Sequence, residues 1–210
     1  MHKITTADVT TTARSPLLLA GALAAPLFTV AVLAQAALRP GYDLTRHPAS
    51  VLANGSYGWV QVATFLATGV LTLAGAAGMR RAAGRLPAAL LTVQGLGLIV
   101  AGVFRMDPVD GFPIGTPPGQ PASFSTEAMV HNAAASLSFL ALIVACFVLA
   151  RRLRGRLGGR WAAAGVAAGV VFTAGLGWAL SGGAAGSLTL FLGVVVAWSW
   201  VAATELRLSR

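Results

Sequence analysis

The chain has 210 residues, 56% of them apolar and only 10% charged, with a formal net charge of +9. A soluble domain carries about 25% charged residues, so this sequence has too little polar surface to coat a globule in water. Its basic residues flank apolar runs instead of forming a stripe on a soluble module, which argues against nucleic acid as a partner.

Six apolar runs follow one another: Pro16–Leu38, Trp59–Met79, Leu86–Phe104, Ala128–Ala150, Trp161–Leu180 and Ser187–Thr204. A hydrocarbon core about 30 Å thick needs about 20 residues of helix, and every run is near that length. The sequence therefore predicts an all-α membrane protein, a six-transmembrane-helix bundle with a proline-rich outer loop between helices 3 and 4. Residues 1–15 are expected to form a flexible cytoplasmic N-terminus, 16–204 the membrane domain and 205–210 a cytoplasmic tail.

With the N-terminus inside, 12 basic residues fall on inner segments and three, Arg39, Arg46 and Arg105, on outer ones. In short loops such a bias sets orientation, so both termini are expected in the cytoplasm. The inner arginines are expected to contact anionic lipids. The excess of Ala, Gly and Arg is associated with GC-rich bacterial genomes, and the expected location is a bacterial inner membrane. Cys146 is the only cysteine, which rules out an intramolecular disulfide within this chain.

In the first run, Ser15 can cap a helix that starts at Pro16, and Pro26 predicts a kink. Ala34-Gln35-Ala36 has the form of a signal-peptide cleavage site, but the apolar stretch exceeds the usual length of about 7–15 residues and is read as a span. The outer loop from Arg39 to Gly58 breaks at Pro40-Gly41. Tyr42, Leu44, Val51 and Leu52 supply it with apolar surface for a short interfacial element, and Tyr57 and Trp59 suit the headgroup region. The next two runs are joined by a short basic loop and should form a hairpin.

The second outer loop, Arg105 to Glu127, carries Pro108, Pro113, Pro117, Pro118 and Pro121. That density favours extended and turn-rich backbone. In the fifth run, Gly165 and Gly169 stand four apart and are expected to admit a neighbouring helix of the same chain. The last two runs are separated by the uncharged turn Ser181–Gly186.

Candidate chemistry gathers in one outer layer. His131 lies about one turn into its span, near Arg105, Asp107, Asp110 and Glu127, with His47 and Asp43 able to join. Ionisable groups beside hydrocarbon are costly unless paired, so side-chain contacts among Arg105, Asp107 and His131 are expected. Asp107 and His131 are the candidate acid/base residues, and structural hydrogen bonding or metal binding by His131 stays open. Arg105, Asp110, Glu127 and Gln94 are candidate substrate-binding residues. Asp107-x-x-Asp110 is weakly similar to an acidic pair for a divalent cation and diphosphate, although Asp beside Pro and Gly more often marks a turn. Arg105 suits carboxylate or phosphate, or a salt bridge to Asp107 or Asp110. Gln35, Gln61 and Gln94 are the remaining polar side chains in or beside spans, and Gln94, near the midpoint of its span, is expected to bridge helices, with substrate contact as the alternative. No metal set is assigned and no cofactor is identified.

Pro40-Gly41-Tyr42, Arg46-His47 to Ser50, Tyr57-Gly58-Trp59-x-Gln61, Phe104 with Asp107-Pro108, Gly111-Phe112-Pro113, and His131-Asn132 occur along the chain as a set of motifs. In these the chain resembles the bacterial membrane family called domain of unknown function 998, and the likeness runs from the first span to about the sixth. Thr64 stands before Phe65 where the family pattern often has Asn. The resemblance implies six spans and supplies no established reaction. Three functional readings follow: binding or supporting a lipid-like partner at the outer face, an enzyme acting on a lipid or isoprenoid, and a small transporter. Membrane lipids are the expected partners in each, and oligomeric state is not legible.

Overall fold

The computed structural model describes residues 15–210, so the expected N-terminal tail lies outside the described residues apart from Ser15. Helices α1 (Pro16–Ala22) and α2 (Ala24–Leu38) together form the first span. They are followed by α3 (Gly58–Ala82), α4 (Arg85–Val103), α5 (Thr126–Leu157), α6 (Gly159–Leu180) and α7 (Gly186–Leu208). Six helical stretches are long and apolar enough to cross a membrane, the make-up of a multi-pass membrane protein in contact with lipid.

The first span breaks at Leu23, three residues before Pro26, and the Leu23 N–H donates to the Ala20 carbonyl in a tightened turn. Proline lacks an N–H and its ring crowds the preceding turn, so the interruption falls where the sequence places it. Ser15 does not cap this helix through its side chain. Its N–H instead donates to the Ser209 carbonyl at 3.1 Å, tying the start of α1 to the end of α7.

Two helices outrun their apolar segments. α5 continues seven residues beyond Ala150 through Arg151–Leu157, and α7 continues past Thr204 to Leu208, so most of the expected C-terminal tail is helical. Composition marks where hydrocarbon contact ends, but backbone hydrogen bonding can carry a helix further. The extension of α5 has a use: Arg152 and Arg156 donate to the Ala83 and Ala82 carbonyls at 3.2 and 3.1 Å, closing the α3–α4 connection.

Successive helices pack against one another, and α7 closes the ring against α1 and α2. Small residues permit the close crossings. A methyl group on Gly69 would lie 2.9 Å from the Gly95 carbonyl oxygen, so α3 and α4 meet backbone to backbone. Gly165 receives the Trp200 ring from α7, and Gly169 receives Phe147 from α5, so this pair serves packing inside the chain.

The described arginines divide between two ends. Arg80, Arg81, Arg85, Arg151, Arg152, Arg154, Arg156, Arg160, Arg207 and Arg210 mark a basic end, whereas Arg39, Arg46 and Arg105 lie at the opposite, capped end. The cap consists of the α2–α3 and α4–α5 connections. The first contains a short 3-10 turn, Ala49–Ala53, whose Val51, Leu52 and Ala53 are buried. Arg39 donates to the Leu52 and Asn54 carbonyls at 2.6 Å each and stands 5.0 Å over the Phe112 ring. Phe112, from the second connection, packs edge-on against Tyr42 at 5.3 Å. The proline-rich segment is thereby fastened to the first connection.

Candidate functional site

Beneath the cap the ring of helices leaves a narrow cavity of about 60 Å³. Its roof is Pro48, Ala49 and Ser50. Its walls come from Phe28 on α2, Phe65 on α3, Gln94 and Leu98 on α4, Ser138 and Leu142 on α5, and Phe191, Val194 and Trp198 on α7. Trp198, the lining residue furthest along α7, is twelve residues beyond the start of that helix, about 18 Å along its axis.

A wider groove of about 580 Å³ lies beside it, bounded by both cap segments, α5 and the α6–α7 turn. Pro48, Ala135, Phe139, Ser187 and Leu190 line both spaces, so the two share one wall. Polar groups cluster at the groove: Thr45, Arg46, Asp110, Gln120, Asn132 and Ser136. Leu140 and Leu180, 55% and 79% exposed, form its apolar flank on the outside of the bundle. On α5 the residues Asn132, Ala135, Ser136 and Phe139 follow the i, i+3, i+4, i+7 spacing of one helix face.

Electrostatics at the groove centre on Arg46 and Asp110. Arg46 Nη2 lies 2.9 Å from Asp110 Oδ2, and its Nε also donates to that oxygen at 3.0 Å. The Asp110 Oδ1 accepts from the Gly119 N–H at 2.9 Å. Its carboxyl is held below the usual carboxylate range, first by the Gly119 N–H and then by the Arg46 hydrogen bond. Asp43 is lowered likewise by the Thr45 hydroxyl and N–H. His47 accepts from the Asp43 N–H at Nδ1 (2.9 Å), so its Nε2 carries the proton and donates to the Asp110 carbonyl at 3.0 Å. Burial pushes the Tyr42 phenol up, with the Asp43 charge adding, and its hydroxyl donates to the His47 carbonyl at 2.9 Å.

The sequence-derived candidates separate. Asp110 lines the groove and Gln94 the cavity. Arg105 pairs with Glu127 at 3.6 Å, not with Asp107 or Asp110, and both line another, more open depression beside Trp59. Asp107 accepts from the N–H and hydroxyl of Ser125 at 2.7 Å each, while Ser125 Oγ caps α5 by accepting from Ala128 N at 3.1 Å. His131 is buried. Its Nδ1 donates to the Ala101 and Phe104 carbonyls at 3.0 and 2.8 Å, and its Nε2 has no hydrogen-bond partner.

The expected contacts among Arg105, Asp107 and His131 are therefore absent. Each side chain meets a helix end instead: Arg105 the Glu127 carboxylate in the first turn of α5, Asp107 the capping Ser125 of α5, His131 the last carbonyls of α4. Asp107 and Asp110 likewise hold different partners and do not form an acidic pair. Among the described residues no three His, Cys, Asp or Glu side chains are placed so that they could hold a metal ion. The helix bridge expected of Gln94 is formed instead by Gln35 and Gln61, with Gln35 Nε2 donating to Gln61 Oε1 at 2.7 Å between α2 and α3, while the Gln94 amide oxygen has no hydrogen-bond partner.

Sequence reasoning missed the cavity, the groove and most of their lining. Gln120 and Ser136 carry no motif, and Phe28, Phe191 and Trp198 read as ordinary span residues. The helical spacing on α5 was the one available signal for a shared face.

No curated protein and no solved structure matches the chain. The model of the family described as a protein of unknown function (DUF998) matches residues 22–207, from the end of α1 almost to the end of α7, and the chain belongs to that family.

Proposed function

We propose that the protein binds a lipid-like amphiphile at the capped end, with its polar part in the groove and an apolar chain in the cavity. One observation carries this reading: a narrow apolar cavity inside the bundle shares a wall with a polar groove that is flanked by exposed leucines. An amphiphile lying in a bilayer presents the same sequence of surfaces, polar at the interface and apolar towards the midplane. Arg46 and Asp110 neutralise each other, and Asn132 and Gln120 add uncharged hydrogen-bonding groups at the mouth.

In this reading the capped end faces outward across a bacterial cell membrane, and both termini are cytoplasmic. The support is the division of arginines between the two ends. An enzyme acting on a lipid or isoprenoid is less well supported, because Asp107 and His131 belong to separate hydrogen-bond sets and both Asp107 oxygens are engaged. A transporter would need polar groups continuing past the cavity floor, where Leu142, Val194 and Trp198 stand.

The test is lipid extraction from the purified protein followed by mass spectrometry. One lipid class should be enriched over the bulk membrane, and Ala135→Phe, which fills the shared wall, should reduce that enrichment about tenfold, the equivalent of about 1.4 kcal/mol. Leu206→Phe on the exposed surface should leave it unchanged. A wild-type lipid profile identical to the bulk would overturn the reading.

A further inference from the structure

We propose that Gln94 makes the cavity a hydrogen-bonding site, so that its ligand carries a hydroxyl or carbonyl group part-way along its apolar chain. This deepens the amphiphile-binding reading and rests on it. Gln94 lies nine residues before the end of α4, about 13 Å below the capped end. It is 2% exposed, it lines the cavity, and its amide oxygen is buried without a hydrogen-bond partner. An unpaired amide oxygen in apolar surroundings is destabilising, and a partner arriving with a ligand removes that penalty.

The residues around it do not provide the partner. Ser138 Oγ donates to the Gln94 backbone carbonyl at 3.1 Å, not to the side chain. Leu98, Leu142 and Val194 offer nothing to pair with. Gln35 and Gln61 also leave one buried amide atom each unpaired, but they hydrogen-bond each other, hold α2 against α3 and do not line the cavity. Gln94 bridges no helices in this way. An amide presents both donor and acceptor, so it suits a hydroxyl or a carbonyl. The groove supplies the outer polar contact through Arg46, and Gln94 supplies an inner one, so the ligand is polar at two levels separated by hydrocarbon.

The experiment uses the full chain in phosphatidylcholine nanodiscs. Stearate and stearate bearing a mid-chain hydroxyl compete for the site against a fluorescent fatty acid. The hydroxylated acid should bind the wild type about tenfold more tightly, the effect of satisfying one buried polar group. The preference should vanish in Gln94→Leu and in Gln94→Met, two variants of similar bulk without the amide. The wild-type comparison needs no variant to fold. Equal affinity of the two acids for the wild type overturns the role of Gln94 and leaves the amphiphile reading standing. Failure of both acids to displace the probe overturns both. A preference that persists in the two variants assigns the contact to another group and overturns the inference.

Discussion

His131 and His47 illustrate how a side chain's surroundings set its role. Both are 1% exposed, but their hydrogen bonds select opposite tautomers: His47 donates from Nε2 and His131 from Nδ1. The two carbonyls that His131 satisfies belong to the end of α4, where backbone oxygens lack helical partners. His131→Ala should therefore lower stability by about 1–3 kcal/mol, read as an earlier thermal unfolding transition in detergent, and His131→Gln should recover part of the loss. Ser125→Ala removes the cap of α5 together with a bond to Asp107 and should cost about 1 kcal/mol in the same measurement. Gly75 offers a steric counterpart. A methyl there would lie 2.8 Å from Gly21 Cα and would overlap the buried Glu205 carboxyl, so Gly75→Val should destabilise the bundle by about 1–3 kcal/mol through overpacking.

At the scale of elements, two carboxyls make the cap sensitive to acid. Asp43 and Asp110 each have a carboxyl held below its ordinary value by hydrogen bonds within the cap. For a depressed carboxylate the contribution to stability is complete above the unfolded value, about 3.9, and is lost as pH falls through the folded one. Acidification into that window should loosen the cap before the helices. Hydrogen exchange corrected for intrinsic pH dependence should show lost protection at Gly119 and Thr45, whose N–H groups bond these carboxylates. Asp110→Asn should remove the pH dependence at Gly119 and leave that at Thr45. Protection at Gly119 that stays constant across the acid range in the wild type would contradict this account. The helices are held by close crossings such as Gly69 against Gly95 and by side chains such as Phe172, which is fully buried.

For the whole molecule, the arginine distribution makes a prediction about orientation. In a Cys146→Ala background, Ser123→Cys at the capped end and Arg154→Cys at the basic end should react with an impermeant thiol reagent from opposite sides of the membrane. Labelling of Ser123→Cys from outside and protection of Arg154→Cys until permeabilisation is the expected result. Equal labelling of both from outside would contradict the six-span arrangement. Arg154 suits the test because it is exposed on a regular helix, whereas the neighbouring Gly158 has φ +93°, a conformation a cysteine would strain.

The sequence by itself determined the number of spans, their approximate limits and the break near Pro26, because the stability of a span in hydrocarbon depends on local composition and length. It also determined the grouping of arginines at one end, since basic residues are counted by loop. The helical face Asn132, Ala135, Ser136 and Phe139 was present in the spacing, although nothing local said what it faced. Only the tertiary structure decided which polar groups meet. Arg105 reaches Glu127 rather than Asp107, Asp110 joins Arg46 across the two cap segments, and Gln94 faces a cavity rather than another glutamine. These outcomes depend on how each helix is rotated about its axis and how closely glycines let neighbours approach, and neither quantity is a property of any single segment.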